Sequence, residues 1–306
     1  MNVEKYSCIK PPLSIGVVTH DRALAFSKLL RYLIPAIEQY AHRCEVIVAN
    51  NSGPSAHDHI ESLVNESGLR DICACTVIDS SENNISTGRN IVLRHAQEDH
   101  LVFVDDDEYP VPTWLVALAI AMHKYDCKLV AGPILPIFPT DAPQWVRSID
   151  LHNTHGLSSG DRIDYAASGN FLVNRKGVED VRFGEFFGKS GGEDTEFFLQ
   201  LKDKGHSLHW CTEAIVYEDI PPSKSTARYM IHRFMTQGRN YRVIMERRGE
   251  MGNVWWFTLR AAVLAFICIG IAKTLLYVRP VSAAKWMKRG YSNLGKIIQP
   301  DCHLYE

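Results

Sequence analysis

The sequence has few of the features that mark zinc proteins, secreted proteins or disordered chains. Its eight cysteines form no Cys-x-x-Cys pair and its thirteen histidines no His-Glu-x-x-His motif, so a zinc site is not expected. Acidic residues and the Pro11-Pro12 pair stand near the N-terminus, where a signal peptide needs a long apolar run, which predicts a cytosolic protein with reduced thiols. A content of 46% hydrophobic and 22% charged residues over 306 positions excludes disorder and a small disulfide scaffold.

Acidic and basic residues are unevenly distributed, although the formal net charge is only −2. Residues 221–306 hold 14 Lys and Arg against 4 Asp and Glu, a net charge of +10. Residues 1–220 hold 19 against 31, a net charge of −12. One large acidic domain followed by a basic appendage is therefore expected.

Short apolar runs alternate with helical periodicity through the first third of the chain. The runs that predict strands are 13–18, 45–49, 75–78 and 101–104. The segments that predict helices are 24–37, 56–67 and 86–96. This alternation is typical of a parallel, doubly wound α/β sheet, whose ligands bind outside the carboxyl ends of the strands.

Four consecutive acids, Asp105 to Glu108, directly follow the predicted strand 101–104. A shared divalent cation offsets the repulsion between such carboxylates, so they indicate a site for a hard metal ion with oxygen ligands. An acidic turn that caps the next helix is the structural alternative. The chemical alternative is a metal-dependent phosphohydrolase, since carboxylates and magnesium also serve that reaction.

Residues 188–196 predict a helix with a glycine-rich entry. Ser190 and Glu193 have the spacing of a capping box, which gives Glu193 a structural interpretation. The functional interpretation is that Gly191 and Gly192 let a substrate approach the backbone, and that an acid at this entrance takes a proton from a hydroxyl.

Five motifs, taken in their order along the chain, resemble those of family 2 glycosyltransferases of the GT-A fold. The matching segments are residues 14–19 with Arg22, 46–52, 85–90, 102–107 and 191–194. The resemblance covers roughly residues 12–245, and residues 183–218 look like the bacterial exopolysaccharide enzymes of the succinoglycan type, which are β-glucosyltransferases. It implies a Rossmann-like, mostly parallel sheet with flanking helices.

The resemblance also implies a set of residues that bind the nucleotide-sugar donor. These are Thr19, Arg22, Asn50, Arg89, Asp105 and Asp106. Relatives usually place Asp at position 50 to bond the uracil; Asn keeps one acceptor there and adds a donor. A UDP-sugar is the expected donor.

The catalytic and metal-binding residues are implied in the same way. Asp194 would be the general base, with Glu193 beside it, and Asp107 would bind Mg²⁺ or Mn²⁺ at the donor diphosphate. Glu218 stands where many relatives carry His, and either touches the metal or pairs with a nearby Arg. Attack from the opposite face of the sugar would give inversion in one displacement.

Residues 254–278 form an apolar run in the basic tail, interrupted by Arg260 and Lys273, which leave twelve uncharged residues between them. Aromatic residues near its ends and basic flanks predict an interfacial or re-entrant helix, or a helical hairpin, on an anionic membrane surface. The alternative is a helix buried against the catalytic body. No nucleic-acid recognition motif is present, so nucleic acid is not an expected partner.

Together these patterns predict a GT-A catalytic domain at residues 12–220 and a membrane-associating helical region at residues 221–306. The expected activity is transfer of one hexose, glucose, from a UDP-sugar to a polyprenyl-diphosphate-linked oligosaccharide at the cytoplasmic face of a bacterial plasma membrane. Residues 232–238 lack the Gln-x-x-Arg-Trp of processive synthases, which predicts one sugar per encounter. A non-catalytic nucleotide-sugar-binding assembly protein and a phosphohydrolase remain the alternatives.

Overall fold

The computed structural model describes residues 10–80 and 82–298. Its strands are β1 (Leu13–Thr19), β2 (Cys44–Asn50), β3 (Ala74–Asp79), β4 (His100–Asp105), β5 (Glu108–Pro110), β6 (Leu129–Ala131), β7 (Ile134–Ile137), β8 (Arg162–Ile163), β9 (Phe171–Asn174), β10 (Leu208–Trp210) and β11 (Val216–Asp219). Its α-helices are α1 (Ala23–Tyr40), α2 (His57–Ser67), α3 (Ile85–His95), α4 (Trp114–Lys124), α5 (Gln144–Arg147), α6 (Glu193–Asp203), α7 (Ala227–Arg247), α8 (Val254–Val278) and α9 (Pro280–Gly295).

The main sheet has eight strands in the order β3-β2-β1-β4-β9-β6-β10-β8. Strand β1 pairs in parallel with β2 and β4, and β2 pairs in parallel with β3. All seven residues of β1 are buried, as expected for a central strand covered on both faces. The predicted parallel half is confirmed, whereas β9 runs antiparallel to both β4 and β6.

The strand register brings four polar residues to one edge of the sheet. Thr19 lies opposite Asn50, and Asn50 lies opposite Asp79. On the other side of β1, Val18 lies opposite Asp105. The carboxyl ends of β1 to β4 therefore form a continuous polar edge.

Two glycines allow α3 to pack directly on β1. A Cβ added at Gly16 would lie 2.3 Å from Val92 Cγ1, and one added at Gly88 would lie 2.6 Å from Val18 Cγ1. Neither side chain could be accommodated without a shift, since real Cβ contacts are longer than these. The close approach fixes the position of Arg89, the residue that follows Gly88.

A second sheet, in the order β5-β11-β7, lies beyond the acidic run. Glu108 of β5 is the register partner of Glu218 of β11. This pairing brings a distant acid next to the acids that follow β4.

The chain divides into two compact units. Unit 1 comprises Met1–Leu135, His152–Gly188 and Glu193–Glu218, and unit 2 comprises Pro136–Leu151, Lys189–Gly192 and Asp219–Glu306. The large sheet and its apolar clusters belong to unit 1. Compactness alone does not define a catalytic domain, so the catalytic domain of residues 12–220 stays a prediction.

Unit 2 has its own apolar cluster, formed by α5, α7, α8, α9 and nearby residues. Its buried members are Trp145, Val146, Ile149, Leu151, Ile220, Met230, Phe234, Ala272, Ala284 and Met287. Helices α8 and α9 pack as a hairpin, with an added Cβ at Gly290 lying 2.8 Å from Ile269 Cγ1.

Helix α8 is continuous over 25 residues and is long and apolar enough to cross a membrane, by length and composition. Its only buried residues are Ala261, Ala265, Cys268 and Ala272. Large apolar side chains point outward, with Phe266 83% exposed. The alternative of a helix buried in protein is therefore wrong, and the helical hairpin is the form that the structure shows.

Candidate active site

Asp106 anchors the acidic loop to the end of β1. Thr19 Oγ1 donates a hydrogen bond to Asp106 Oδ2 at 2.9 Å, and the His20 backbone N–H donates to the same oxygen at 3.2 Å. Asp106 is only 3% exposed, and its burial raises the pKa of its carboxyl. The structure thus brings Thr19 and Asp106 together but turns Asp106 inward.

Arg22 lies between the two acids that follow β4. Its Nη1 contacts Asp106 Oδ1 at 3.0 Å and Asp107 Oδ2 at 2.6 Å. Burial raises the pKa of Asp107 to about 7, Arg22 opposes the shift, and the charges of Glu218 and Asp106 add to it. The pKa of Asp107 is therefore raised although Arg22 pairs with it, so a further cation would stabilise its carboxylate.

Arg89 joins the end of β4 to the start of α6. Its Nη2 donates to Asp105 Oδ1 at 2.9 Å, and its Nη1 donates to Glu193 Oε1 at 2.7 Å. The guanidinium is 2% exposed, so the two ion pairs are shielded from water. Asn84 caps α3 by accepting from the backbone N–H groups of Ser86 and Thr87, which holds the first turn that carries Arg89.

Glu193 and Asp194 open helix α6 and have different environments. Burial raises the pKa of Glu193 to about 7, the adjacent Asp194 charge adds to the shift, and Arg89 opposes it. Asp194 Oδ1 accepts from the Thr195 backbone N–H at 2.6 Å, while no residue among 10–80 and 82–298 donates to its Oδ2. Burial also raises the pKa of Asp194. Asp194 thus has one oxygen to which no described residue donates, as do Asp105 and Glu193, whose other oxygens are held by Arg89.

The capping box predicted for Ser190 and Glu193 is wrong. Gly191 and Gly192 have φ angles of +80° and +102°, outside the helical region, so the helix begins at Glu193 itself. Glu193 is the first helical residue instead of the third, and its side chain bonds Arg89. The glycine-rich entry is a turn that only glycine adopts without strain.

Asn50 is held inside its turn at the end of β2. Its Nδ2 donates to Asp79 Oδ1 and to Gly53 O, both at 2.7 Å, and its Oδ1 accepts from the Ser52 backbone N–H at 3.0 Å. Both amide hydrogens are therefore used within the protein. Asp79 also contacts His57 Nδ1 at 3.0 Å.

Glu218 lies near the acidic loop, where its Oε2 contacts His152 Nε2 at 2.9 Å. Burial raises the pKa of its register partner Glu108 well above the usual range, with the charges of Asp105, Asp107 and Glu218 adding to the shift. Glu108 Oε2 also accepts from the Asp105 backbone N–H at 3.2 Å.

Sequence reasoning missed two residues of this site, Asp79 and His152. Asp79 had a detectable signal, because it is an acid at the end of a strand as Asp105 is. His152 had no such signal in the sequence, because it stands in an irregular segment whose path the hydrophobic pattern does not predict.

The donor set suits a hard divalent cation of the Mg²⁺ or Mn²⁺ type. Asp107 and Glu218 carry carboxylate oxygens, the ligand type that such ions prefer, and a cation would offset the burial and the neighbouring charges that raise the pKa of Asp107. Among the described residues, no group of three or more His, Cys, Asp or Glu side chains is arranged to hold a metal ion. An ion held by Asp107 and Glu218 would have to take its other ligands from substrate phosphates and water.

Comparison with known proteins gives a consistent family. The family model "Glycosyl transferase family 2" matches residues 14–182. The succinoglycan biosynthesis protein ExoM of Rhizobium meliloti (strain 1021) is 31% identical over 258 residues, which cover 83% of this chain and 82% of that protein.

Solved structures show the fold. The mannosyltransferase PcManGT from Pyrobaculum calidifontis, in complex with GDP-Man and Mn²⁺, superposes with a TM-score of 0.64 at 15% identity, over 94% of this chain and 86% of that chain. S. aureus TarS 1-349 superposes with a TM-score of 0.52 at 13% identity, over 93% of this chain and 90% of that chain. The sheet is a GT-A-like mixed α/β sheet with flanking helices. With the family model covering more than half of the chain and a relative above 30% identity over most of it, this protein is a glycosyltransferase that belongs to glycosyl transferase family 2.

Proposed function

We propose that this enzyme transfers one glucose from a UDP-sugar to a hydroxyl of a polyprenyl-diphosphate-linked oligosaccharide during exopolysaccharide biosynthesis, with inversion. The observation that carries the proposal is that Asp194, next to the bridge from Asp105 through Arg89 to Glu193, has one oxygen to which no residue in the described part of the chain donates. The name of the R. meliloti relative, a succinoglycan biosynthesis protein, supports the product class.

Asp194 acts as the general base. Burial raises the pKa of Asp194, which makes its carboxylate a stronger base than a solvated aspartate, and the charge of Arg89 opposes this shift. The acceptor hydroxyl gives its proton to Asp194 as its oxygen attacks the anomeric carbon. Turnover therefore falls when the pH is lowered through the pKa of Asp194.

Arg89 and Glu193 position this base. Arg89 fixes Glu193 Oε1 and Asp105 Oδ1 with two hydrogen bonds from one rigid guanidinium, so the start of α6 is tied to the end of β4. Asp105 then presents its remaining oxygen to the donor. Glu193 contributes by holding Arg89.

Thr19, Arg22, Asn50 and Asp106 form the nucleotide side of the site. Arg22, which pairs with Asp107 in the structure, would also bind the donor phosphates. Asp106 acts through Thr19 and Arg22, because both of its oxygens already have protein partners. Asn50 shapes the turn that faces the nucleobase of the donor.

Asp107 and Glu218 would hold the divalent ion. When bound, the ion neutralises charge on the departing diphosphate and so stabilises the transition state more than the ground state. Two neighbours of the same fold, PcManGT and GalNAc-T7, were solved with Mn²⁺.

The basic tail attaches the enzyme to the cytoplasmic face of a bacterial plasma membrane, where soluble nucleotide sugars and a lipid-linked acceptor meet. Its net charge of +10 suits an anionic surface, and α8 presents apolar side chains along its length.

Calorimetric titration of UDP-glucose, UDP-galactose and GDP-mannose into the full chain, with and without Mn²⁺, tests the donor and the metal site. We expect tight binding of UDP-glucose only with Mn²⁺, strengthening from about pH 6 to about pH 8 because protons compete with the ion for Asp107. Asp107→Asn should weaken it by about 10-fold to 100-fold, and Asp58→Asn, on the exposed start of α2, should not.

Two outcomes would contradict the proposal. Absence of binding to any nucleotide sugar with Mn²⁺ present would indicate that the protein does not use a nucleotide-sugar donor. Hydrolysis of UDP-glucose to UMP and glucose 1-phosphate without an acceptor would indicate a phosphohydrolase.

A further inference from the structure

Unit 2 contains a groove between α8 and α9 that the transfer reaction does not use. Its lining consists of Trp256, Leu259, Arg260, Val263, Leu264 and Arg289, and it encloses about 330 Å³. We refer to it as the α8–α9 groove. Four of its six residues are apolar and the other two are arginines.

The charges at the groove have one sign. Arg260 and Arg289 are both exposed, and neither forms an ion pair with any residue in the described part of the chain. Lys296 lies nearby: burial lowers the pKa of its ammonium group, and the charges of Arg260 and Arg289 lower it further. Three cations that repel one another, and that no acid among the described residues pairs with, make a surface that an anion would stabilise.

The aromatic neighbours place this charge at the end of an apolar helix. Arg260 stands six residues after Val254, or about 9 Å along the helix axis. Trp255 and Trp256, at the same end, are 73% and 67% exposed. Tryptophan at a helix end is typical of the membrane interface, the depth at which lipid phosphates lie.

We propose that the α8–α9 groove is a binding site for an anionic membrane phospholipid. Arg260 and Arg289 hold the phosphate oxygens, since planar guanidinium groups bind phosphate through paired hydrogen bonds. The apolar side chains of the groove contact the first segment of the acyl chains. This inference rests on the proposed attachment of the tail to a membrane and adds a discrete headgroup site to it.

The combination of apolar and cationic side chains favours a lipid over a soluble anion as the occupant. A soluble phosphate would satisfy the arginines but would leave Leu259, Val263 and Leu264 in contact with water, whereas a phospholipid satisfies both parts of the groove.

The test is co-sedimentation of the full chain with vesicles of phosphatidylcholine, with or without phosphatidylglycerol. The groove variant is Arg260→Gln with Arg289→Gln. The matched control is Lys273→Gln with Lys285→Gln, which also removes one exposed charge from each of the two helices but lies outside the groove lining. We expect the preference for phosphatidylglycerol to fall about 10-fold further in the groove variant than in the control.

A conservative replacement separates the effect of charge from the effect of the paired hydrogen bonds. Arg260→Lys with Arg289→Lys keeps both charges but loses the paired hydrogen bonds, so it should lose a large part of the same preference. Unchanged far-ultraviolet circular dichroism shows that each variant is folded.

Equal losses in the groove and control variants would overturn the site, since they would show diffuse attraction. Stronger selectivity of the groove for a polyprenyl diphosphate than for phosphatidylglycerol at equal lipid charge would overturn the choice of occupant. Failure of the wild-type chain to bind any vesicle would remove the membrane attachment together with the site, while UDP-glucose calorimetry would still decide the transferase proposal separately.

Discussion

Arg89 is the residue on which the geometry of the proposed base depends. It is buried and paired with Asp105 and Glu193. A buried charge that loses its partner is costly because the remaining charge is left without compensation. The stability and the geometry of the site therefore depend on the same guanidinium.

Removal of this guanidinium gives a measurable coupling. Arg89→Met should lower the free energy of unfolding by about 3–5 kcal/mol, because it leaves Glu193 unpaired in the interior. Adding Glu193→Gln should recover part of the loss, as measured by urea denaturation of the two single variants and the double variant. Strict additivity of the two single effects would show that the pair does not interact as the structure indicates.

Asn50 stands where the family resemblance implies Asp, and its amide is paired with Asp79. Asn50 Nδ2 donates to Asp79 Oδ1 at 2.7 Å, so a carboxylate at position 50 would face another carboxylate. An amide is the compatible partner at that distance.

Asn50→Asp should therefore destabilise the protein by about 1–3 kcal/mol, since two donated hydrogen bonds are lost and a repulsion is gained. Introducing Asp79→Asn in the same chain should restore most of the stability, measured as the midpoint of thermal unfolding. A double variant no more stable than Asn50→Asp alone would contradict this pairing.

At the residue scale, the sequence predicted the acids that follow β4 because strand ends carry ligand-binding residues. The bridge between Arg89 and Glu193 could not be predicted from periodicity, since its members are 104 positions apart and their contact depends on where α6 packs. The family resemblance implied a role for both residues but did not imply that they contact each other.

At the element scale, the packing of α3 on β1 determines where Arg89 points. The packing depends on Gly88, whose Cα faces the side chain of Val18. A methyl group here has no space unless Val18 moves.

Gly88→Ala should lower the free energy of unfolding by about 1–3 kcal/mol through this overpacking. Val18→Ala alone should destabilise the protein, because it leaves a cavity in the core. In the Gly88→Ala chain, however, it removes the opposing methyl groups and should reduce the loss of unfolding free energy that Gly88→Ala causes. Urea denaturation of the four proteins gives the coupling; equal costs of Gly88→Ala in both backgrounds would refute the contact.

Element boundaries were predicted closely where apolar runs are strong. The strand predicted at 45–49 is Cys44–Asn50, and the helix predicted at 86–96 is Ile85–His95. The antiparallel insertion of β9 was not predicted, because a four-residue apolar strand carries no signal of its direction. Helix α8 continues past Arg260 and Lys273 because both side chains are exposed, so neither charge is buried by helix formation.

At the scale of the whole molecule, the uneven charge distribution predicted two parts with different tasks. The acidic part contains a cluster of carboxylates whose pKa values burial raises, among them Asp107, Glu193 and Asp194. The basic part contains an exposed apolar helix. The proposed donor-binding site and the proposed membrane attachment would account for both features, whereas composition and periodicity carry no signal of which sugar is transferred.

Transfer of radiolabelled glucose from UDP-glucose to butanol-extractable bacterial lipid, followed for the full chain with Mn²⁺, tests the central claim most directly. The wild type should add one hexose to each lipid-linked oligosaccharide. Asp194→Asn should lower kcat by about 10²-fold to 10⁴-fold while leaving UDP-glucose binding unchanged, and Asp203→Asn, at the exposed end of the same helix, should match the wild type. A turnover of Asp194→Asn within a few-fold of the wild type, or no labelled lipid with the wild type, would contradict the account.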